Sequence, residues 1–172
     1  MKHGLVYLWT GIGAGKTSSA LGVALRAVGQ ARKVIVIQFL KGRKDIGEYK
    51  IAKKLGQNYE IYQFGRKEFV DPKNLKPIDY ELAKKGLEFA YKSLNKKPFL
   101  LILDEINLAV HGGLLKAKDI IDFLNIVPSS TTVYLTGRFA PKELINRADF
   151  VNEIQLIKQP KKFPPAKRGI EW

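Results

Sequence analysis

Near its N-terminus the chain reads "LVYLWTGIGAGKTSSALG": an apolar run, a glycine-rich turn and a helix-forming run in immediate succession. No other stretch restricts the fold as much. A strand that feeds a glycine loop and then a helix lets backbone N–H groups converge on phosphate oxygens, helped by the helix dipole. Gly11, Gly13 and Gly15 permit positive φ and close approach of a ligand to the backbone. Lys16 is placed to contact phosphate, and Thr17 to offer its hydroxyl to a divalent ion. The usual pattern, G-x-x-x-x-G-K-[ST], opens on glycine, and here that position is Thr10. By itself the loop does not separate a nucleotide site from a tight strand–helix turn with an exposed lysine.

The rest of the chain supplies the setting. Strands are expected at Leu5–Trp9, Lys33–Phe39, Glu60–Phe64, Phe99–Leu103, Thr132–Leu135 and Val151–Ile157, and helices at Lys16–Val28, Ile78–Leu94, Ala117–Asn125 and Pro141–Ala148. "VIVIQF" and "FLLIL" are apolar almost throughout, as strands covered on both faces are. Alternating strands and helices predict a doubly wound α/β domain spanning residues 1–172, with a basic, proline-containing tail at 158–172. That tail either packs over the site or stays mobile. "FLLILDEIN" ends an apolar strand in Asp104-Glu105. In open α/β sheets ligands bind beyond the carboxyl ends of the strands, so the acidic pair belongs beside the loop, where it can hold Mg²⁺ directly or through water. Loop and acidic pair together predict a bound Mg–nucleotide.

Composition narrows the field further. No apolar run approaches the roughly 18 residues of a membrane span, and the sequence contains no cysteine, which excludes disulfides and thiolate metal sites. Both fit a cytoplasmic protein. The net charge of +14 would suit a polyanionic ligand, an acidic protein partner or nucleic acid. The lysines are scattered and carry no regular aromatic interleaving, so a solvated surface is the favoured reading and nucleic acid the minority one. His111, in "AVHGGLL" after the acidic pair, is assigned no role.

Beyond these motifs the sequence carries "QFLKG" (Gln38–Gly42), Gly47-Glu48, Thr136-Gly137-Arg138 and a closing "RGIEW". Taken in order with "TGIGAGKT", "ALGVALRAVG" and "LDEIN", the set resembles the ATP:corrinoid adenosyltransferases of the CobA/BtuR type over nearly the whole chain. Those loops also open on threonine. The resemblance implies a RecA-like P-loop fold: a mostly parallel sheet of about six strands with helices on both faces. It implies transfer of the 5′-deoxyadenosyl group of ATP to Co(I) of a reduced corrinoid, with release of triphosphate. ATP contacts are then expected from Gly11, Ile12, Gly13, Ala14, Gly15, Lys16, Thr17 and Ser18, with Arg26 and Arg138. Mg²⁺ or Mn²⁺ is expected at Thr17, Asp104 and Glu105, with Lys16, Thr17 and Glu105 carrying catalysis. A homodimer and a flavodoxin-like reductant are implied as partners.

Two departures from the family pattern bear on this. Ile12 and Ala14 replace the asparagine and lysine common in the family loop. The aromatic segment that relatives use against the corrinoid is replaced by "FGRKEFVDPKN", in which Phe69 is the one candidate. Two rival readings remain: a generic P-loop ATPase or kinase, possibly associated with nucleic acid, and a low-turnover nucleotide or corrinoid carrier.

Overall fold

The computed structural model of the protein describes residues 3–68, 70–71, 74–162 and 164–170. Six strands form one sheet: β1 (Val6–Thr10), β2 (Val34–Phe39), β3 (Tyr59–Phe64), β4 (Leu100–Asp104), β5 (Thr132–Thr136) and β6 (Phe150–Glu153). Their order is β3-β2-β4-β5-β1-β6, and every pairing is parallel. The helices are α1 (Lys16–Gly29), α2 (Gly47–Leu55), α3 (Pro77–Ser93), α4 (Ile106–His111), α5 (Ala117–Ile126) and α6 (Lys142–Arg147). This is the expected α/β class and matches a RecA-like P-loop arrangement, with β5 between the loop strand β1 and the acidic strand β4.

The period-2 alternation of each strand divides the core into two layers. Val34 and Val36 of β2, Leu100 and Ile102 of β4 and Tyr134 of β5 face one layer, which α1 covers with Ala20, Ala24 and Ala27. These alanines recur one helical turn apart, and their small side chains let the helix approach the sheet closely. Ile35, Ile37, Phe39, Leu101, Leu103, Val133 and Leu135 face the other layer, which takes side chains from α3, α4, α5 and α6. β2 and β4 are therefore buried at every position, as their near-continuous apolar runs predict.

Beyond one-residue shifts at other element ends, the structure differs from the sequence reading in the last strand, at Pro141 and in two additional helices. The last strand stops at Glu153 rather than Ile157, because pairing with β1 ends at Thr10. Beyond it Ile154 leaves the sheet and crosses the glycine loop, donating from its N–H to Thr10 O and accepting from Gly13 N–H. Pro141 is the residue before the last helix, not its first turn. Helices α2 and α4 were not expected: α2 buries no residue, and α4 is six residues long. Both are short, and α2 sets only the partly buried Tyr49, Ala52 and Leu55 against the core.

Parallel pairing brings the carboxyl ends of β1, β2, β4 and β5 to one edge, and the site lies there. The chain leaving β2 and the chain leaving β3 cross in tight contact. A Cβ on Gly65 would lie 2.2 Å from Lys41 N, and Leu40 turns through φ +60°. This crossing fixes where Lys41 emerges. Among the described residues no helix is long and apolar enough to cross a membrane.

Candidate active site

The glycine loop owes its shape first to its neighbours. Gly11 has φ +96°, and a Cβ there would meet Ile154 O at 2.3 Å, so both backbone conformation and backbone packing demand glycine. Thr10, in the position usually held by glycine, has a contact of its own. Its hydroxyl accepts from the Ala140 N–H at 3.2 Å and ties the loop to the segment following β5.

Behind the loop lies a buried carboxylate. Asp104 accepts from Thr17 Oγ1 (2.7 Å) and Thr136 Oγ1 (2.6 Å) at Oδ1, and from Lys41 Nζ (2.7 Å) and Gln38 Nε2 (3.0 Å) at Oδ2. Burial alone would raise its pKa. The Lys41 charge and the hydrogen bonds from Lys41, Thr136 and Thr17 outweigh that and hold the carboxyl below the usual range. Lys41 experiences the reverse balance: burial disfavours its charge, while Asp104 and Glu105 more than restore it, and its pKa rises. Gln38 passes the network outward, donating to Glu48 Oε1 at 3.3 Å and accepting from Gln63 Nε2 at 3.0 Å.

Glu105 differs from its neighbour. It sits in the left-handed region at φ +61°, and its N–H donates to Thr136 Oγ1 at 3.1 Å. Its Oε2 is buried without a hydrogen-bond partner. Burial first, and then the charge of Asp104, push its pKa up against Lys41, Lys16 and Arg138. Strain and an orphaned oxygen meet in one residue, a combination that favours an external ligand over internal packing. Lys16 is also buried, and its Nζ donates to Gly13 O at 2.5 Å. Burial and the nearby Arg138 guanidinium draw its pKa down, with Glu105 opposing.

Two cavities open on this network. The first, of about 650 Å³, is lined by residues 13–18 of the loop, by Leu21 and Leu25 of α1, and by Lys41, Glu48, Glu105 and Arg138. Gly169 and Ile170 of the C-terminal segment also border it, both largely exposed. The second, of about 590 Å³, has apolar walls from Leu40, Ile46, Val70 and Leu108 and basic ones from Arg43, Arg66 and Lys67. Lys41, Glu48 and Glu105 belong to both. Arg66 is fixed by a two-point ion pair with the buried Asp79 (2.7 and 3.2 Å), whose Oδ2 also takes the Lys76 N–H at the start of α3.

Of the residues expected at the site, Gly13, Ala14, Gly15, Lys16, Thr17, Ser18, Glu105 and Arg138 converge on the first cavity, with Asp104 directly behind them. Gly11 and Ile12 do not line it. Ile12 is 57% exposed, so the exchange at this position leaves the cavity wall unchanged. Arg26 is exposed on α1 and is not brought to either cavity. Phe69 lies outside the described residues. Sequence reasoning missed Lys41, Gln38, Thr136 and Glu48 as parts of one network. The signal was present: a lone glutamine inside the apolar "VIVIQF", followed by lysine at the strand end.

The family model of the ATP:corrinoid adenosyltransferases BtuR/CobO/CobP matches residues 2–172. This chain belongs to that family. It is 32% identical over 175 residues to a corrinoid adenosyltransferase of Sinorhizobium, covering 99% of this chain and 81% of that protein. Against the corrinoid adenosyltransferase CobA of Salmonella typhimurium the identity is 30% over 159 residues, covering 91% and 79%. An uncharacterised Nostoc protein is 29% identical over 181 residues, and the chain spans 48% of that protein's length. Membership makes the chain a transferase and favours the adenosyltransferase reading over the ATPase one.

Proposed function

We propose that this chain is a cytoplasmic enzyme that moves the 5′-deoxyadenosyl group of ATP onto the Co(I) centre of a reduced corrinoid. One observation carries the reading beyond family membership. The cavity lined by the glycine loop and the second cavity share Lys41, Glu48 and Glu105 as a common wall, so ligands in the two would meet across those residues. ATP would occupy the first, with its phosphates on the loop amides, Lys16 and Arg138. The flat apolar part of the corrinoid would lie against Leu40, Ile46 and Leu108 in the second.

In the transfer the Co(I) electron pair attacks C5′ of the ribose. The cobalt–carbon bond forms, the C5′–O5′ bond breaks, and its electron pair leaves on triphosphate. Cobalt is formally oxidised to Co(III), and no proton moves. A general base is therefore unnecessary, and the protein contributes orientation and stabilisation of charge on the leaving group. The Thr17 hydroxyl and the orphaned Glu105 oxygen are hard donors that fit Mg²⁺ or Mn²⁺. When bound, such an ion would neutralise triphosphate charge. Among the described residues no group of three or more acidic or histidine side chains forms a cage, which accords with an ion held largely by the nucleotide. The homodimer and the flavodoxin-like donor enter on the resemblance, the donor with support from the +14 charge.

Incubation with Mg–ATP and chemically reduced corrinoid should yield adenosylcorrinoid and intact triphosphate. ADP and phosphate, or no product despite binding of both ligands, would overturn the reading. Arg138→Ala should weaken ATP binding roughly tenfold, as loss of one charge-assisted hydrogen bond does. Isothermal titration with a non-reactive ATP analogue measures it, and unchanged affinity would remove Arg138 from the site.

A further inference from the structure

We infer that Lys41 is a tethered counter-ion: its ammonium holds the place of the divalent metal until nucleotide and metal arrive together and displace it. The inference rests on the proposal that Thr17 and Glu105 face a metal, but not on adenosyl transfer. Thr17 has one hydroxyl proton, and it is committed to Asp104 Oδ1 at 2.7 Å. The oxygen lone pairs that remain are those through which a metal would be bound. Lys41 Nζ lies 3.3 Å from that oxygen and 2.7 Å from Asp104 Oδ2. One ammonium thus contacts both the hydroxyl and the buried carboxylate expected beside the metal.

The physical need for it is clear. Asp104 is fully buried, and without Lys41 its charge would face only the neutral donors Thr17, Thr136 and Gln38. A buried carboxylate lacking a nearby cation is strongly disfavoured. A tethered cation supplies the charge without a metal, but it also repels any metal that arrives alone. Metal accompanied by the polyanionic nucleotide offers Lys41 a new partner. Because Lys41 lines both cavities, the displaced ammonium stays at their common wall and can turn toward the triphosphate. Lys41 is in this sense a positioning residue that couples metal loading to nucleotide loading.

The test is Mn²⁺ binding to the nucleotide-free full-length protein, followed by the electron paramagnetic resonance signal of free Mn²⁺. Lys41→Gln keeps a hydrogen-bond donor and removes the charge. It should bind Mn²⁺ roughly tenfold or more tightly than wild type, while Lys41→Arg should bind as weakly as wild type. Equal affinities in all three overturn the inference. A measurement on the wild type guards against a Gln variant that does not fold. High Mn²⁺ without nucleotide should raise the rate at which a small amine reagent labels Lys41, relative to the exposed lysines, and an unchanged rate overturns it. Absence of adenosyl transfer would contradict the proposed function and leave both measurements valid.

Discussion

Asp104→Asn should cost about 3 kcal/mol of stability and abolish nucleotide-dependent transfer. The carboxylate is an acceptor at both oxygens, and four donors from two strand ends and the loop helix converge on it. Asparagine keeps one acceptor oxygen and turns an N–H₂ group toward two of those donors. The hydroxyls of Thr17 and Thr136 can turn to accept from that group, but a neutral amide cannot balance the charge of the Lys41 ammonium. It is then left charged and part-buried, and removing one member of a buried pair is far more damaging than replacing both. Urea unfolding gives the stability, and a difference below about 0.5 kcal/mol would show that the network does not hold the site together. The pH dependence supplies a second reading. Because the folded pKa of Asp104 is depressed, its stabilisation is present above the unfolded carboxylate pKa of about 4 and is lost as pH falls through the lower folded value. The asparagine variant should lack that part of the acid limb.

The same network explains what could be read from the chain beforehand. Strand–loop–helix and strand–Asp-Glu are local patterns, each set by neighbours in sequence, and both are found where the sequence places them. Alternation within "VIVIQF" and "FLLIL" already requires helices on both faces of the sheet. What could not be read is long-range. Gln38, Lys41 and Thr136 belong to Asp104 only because β2, β4 and β5 are adjacent, with Gln38 in register with Asp104. Helix α2 has no fully buried residue and sets only the partly buried Tyr49, Ala52 and Leu55 against the core, a stripe too short to stand out in the sequence. Arg26 is a motif position that neither cavity includes: it lies exposed on α1, close enough to Tyr134 to act on its charge. Gly11 takes the positive φ expected of it, and at Gly11 and Gly13 the carbonyl of Ile154, far along the chain, also excludes a Cβ, a constraint that no local pattern carries.

Glu105→Gln is expected to move stability and function in opposite directions. Transfer should fall by roughly 100- to 1000-fold, the range for removing one preorganised charge-stabilising group, while the protein becomes about 1 kcal/mol more stable. The gain arises because the wild-type carboxylate is buried beside Asp104, with one oxygen unpartnered. Glutamine is nearly isosteric and removes the charge. For a chain of this length the gain corresponds to roughly 2–4 °C in Tm. The sign with pH is opposite to that of Asp104. The folded pKa of Glu105 is raised, so its destabilising contribution is absent below the unfolded value of about 4 and grows as pH rises toward the folded one. The advantage of glutamine should therefore be present at neutral pH and vanish in acid. Added Mg–ATP should raise the Tm of the wild type more than that of the variant, since only the carboxylate gains a cation when the site is filled. A variant no more stable than wild type at neutral pH would show that Glu105 is satisfied internally. It would then have no reason to be held in a strained conformation facing both cavities.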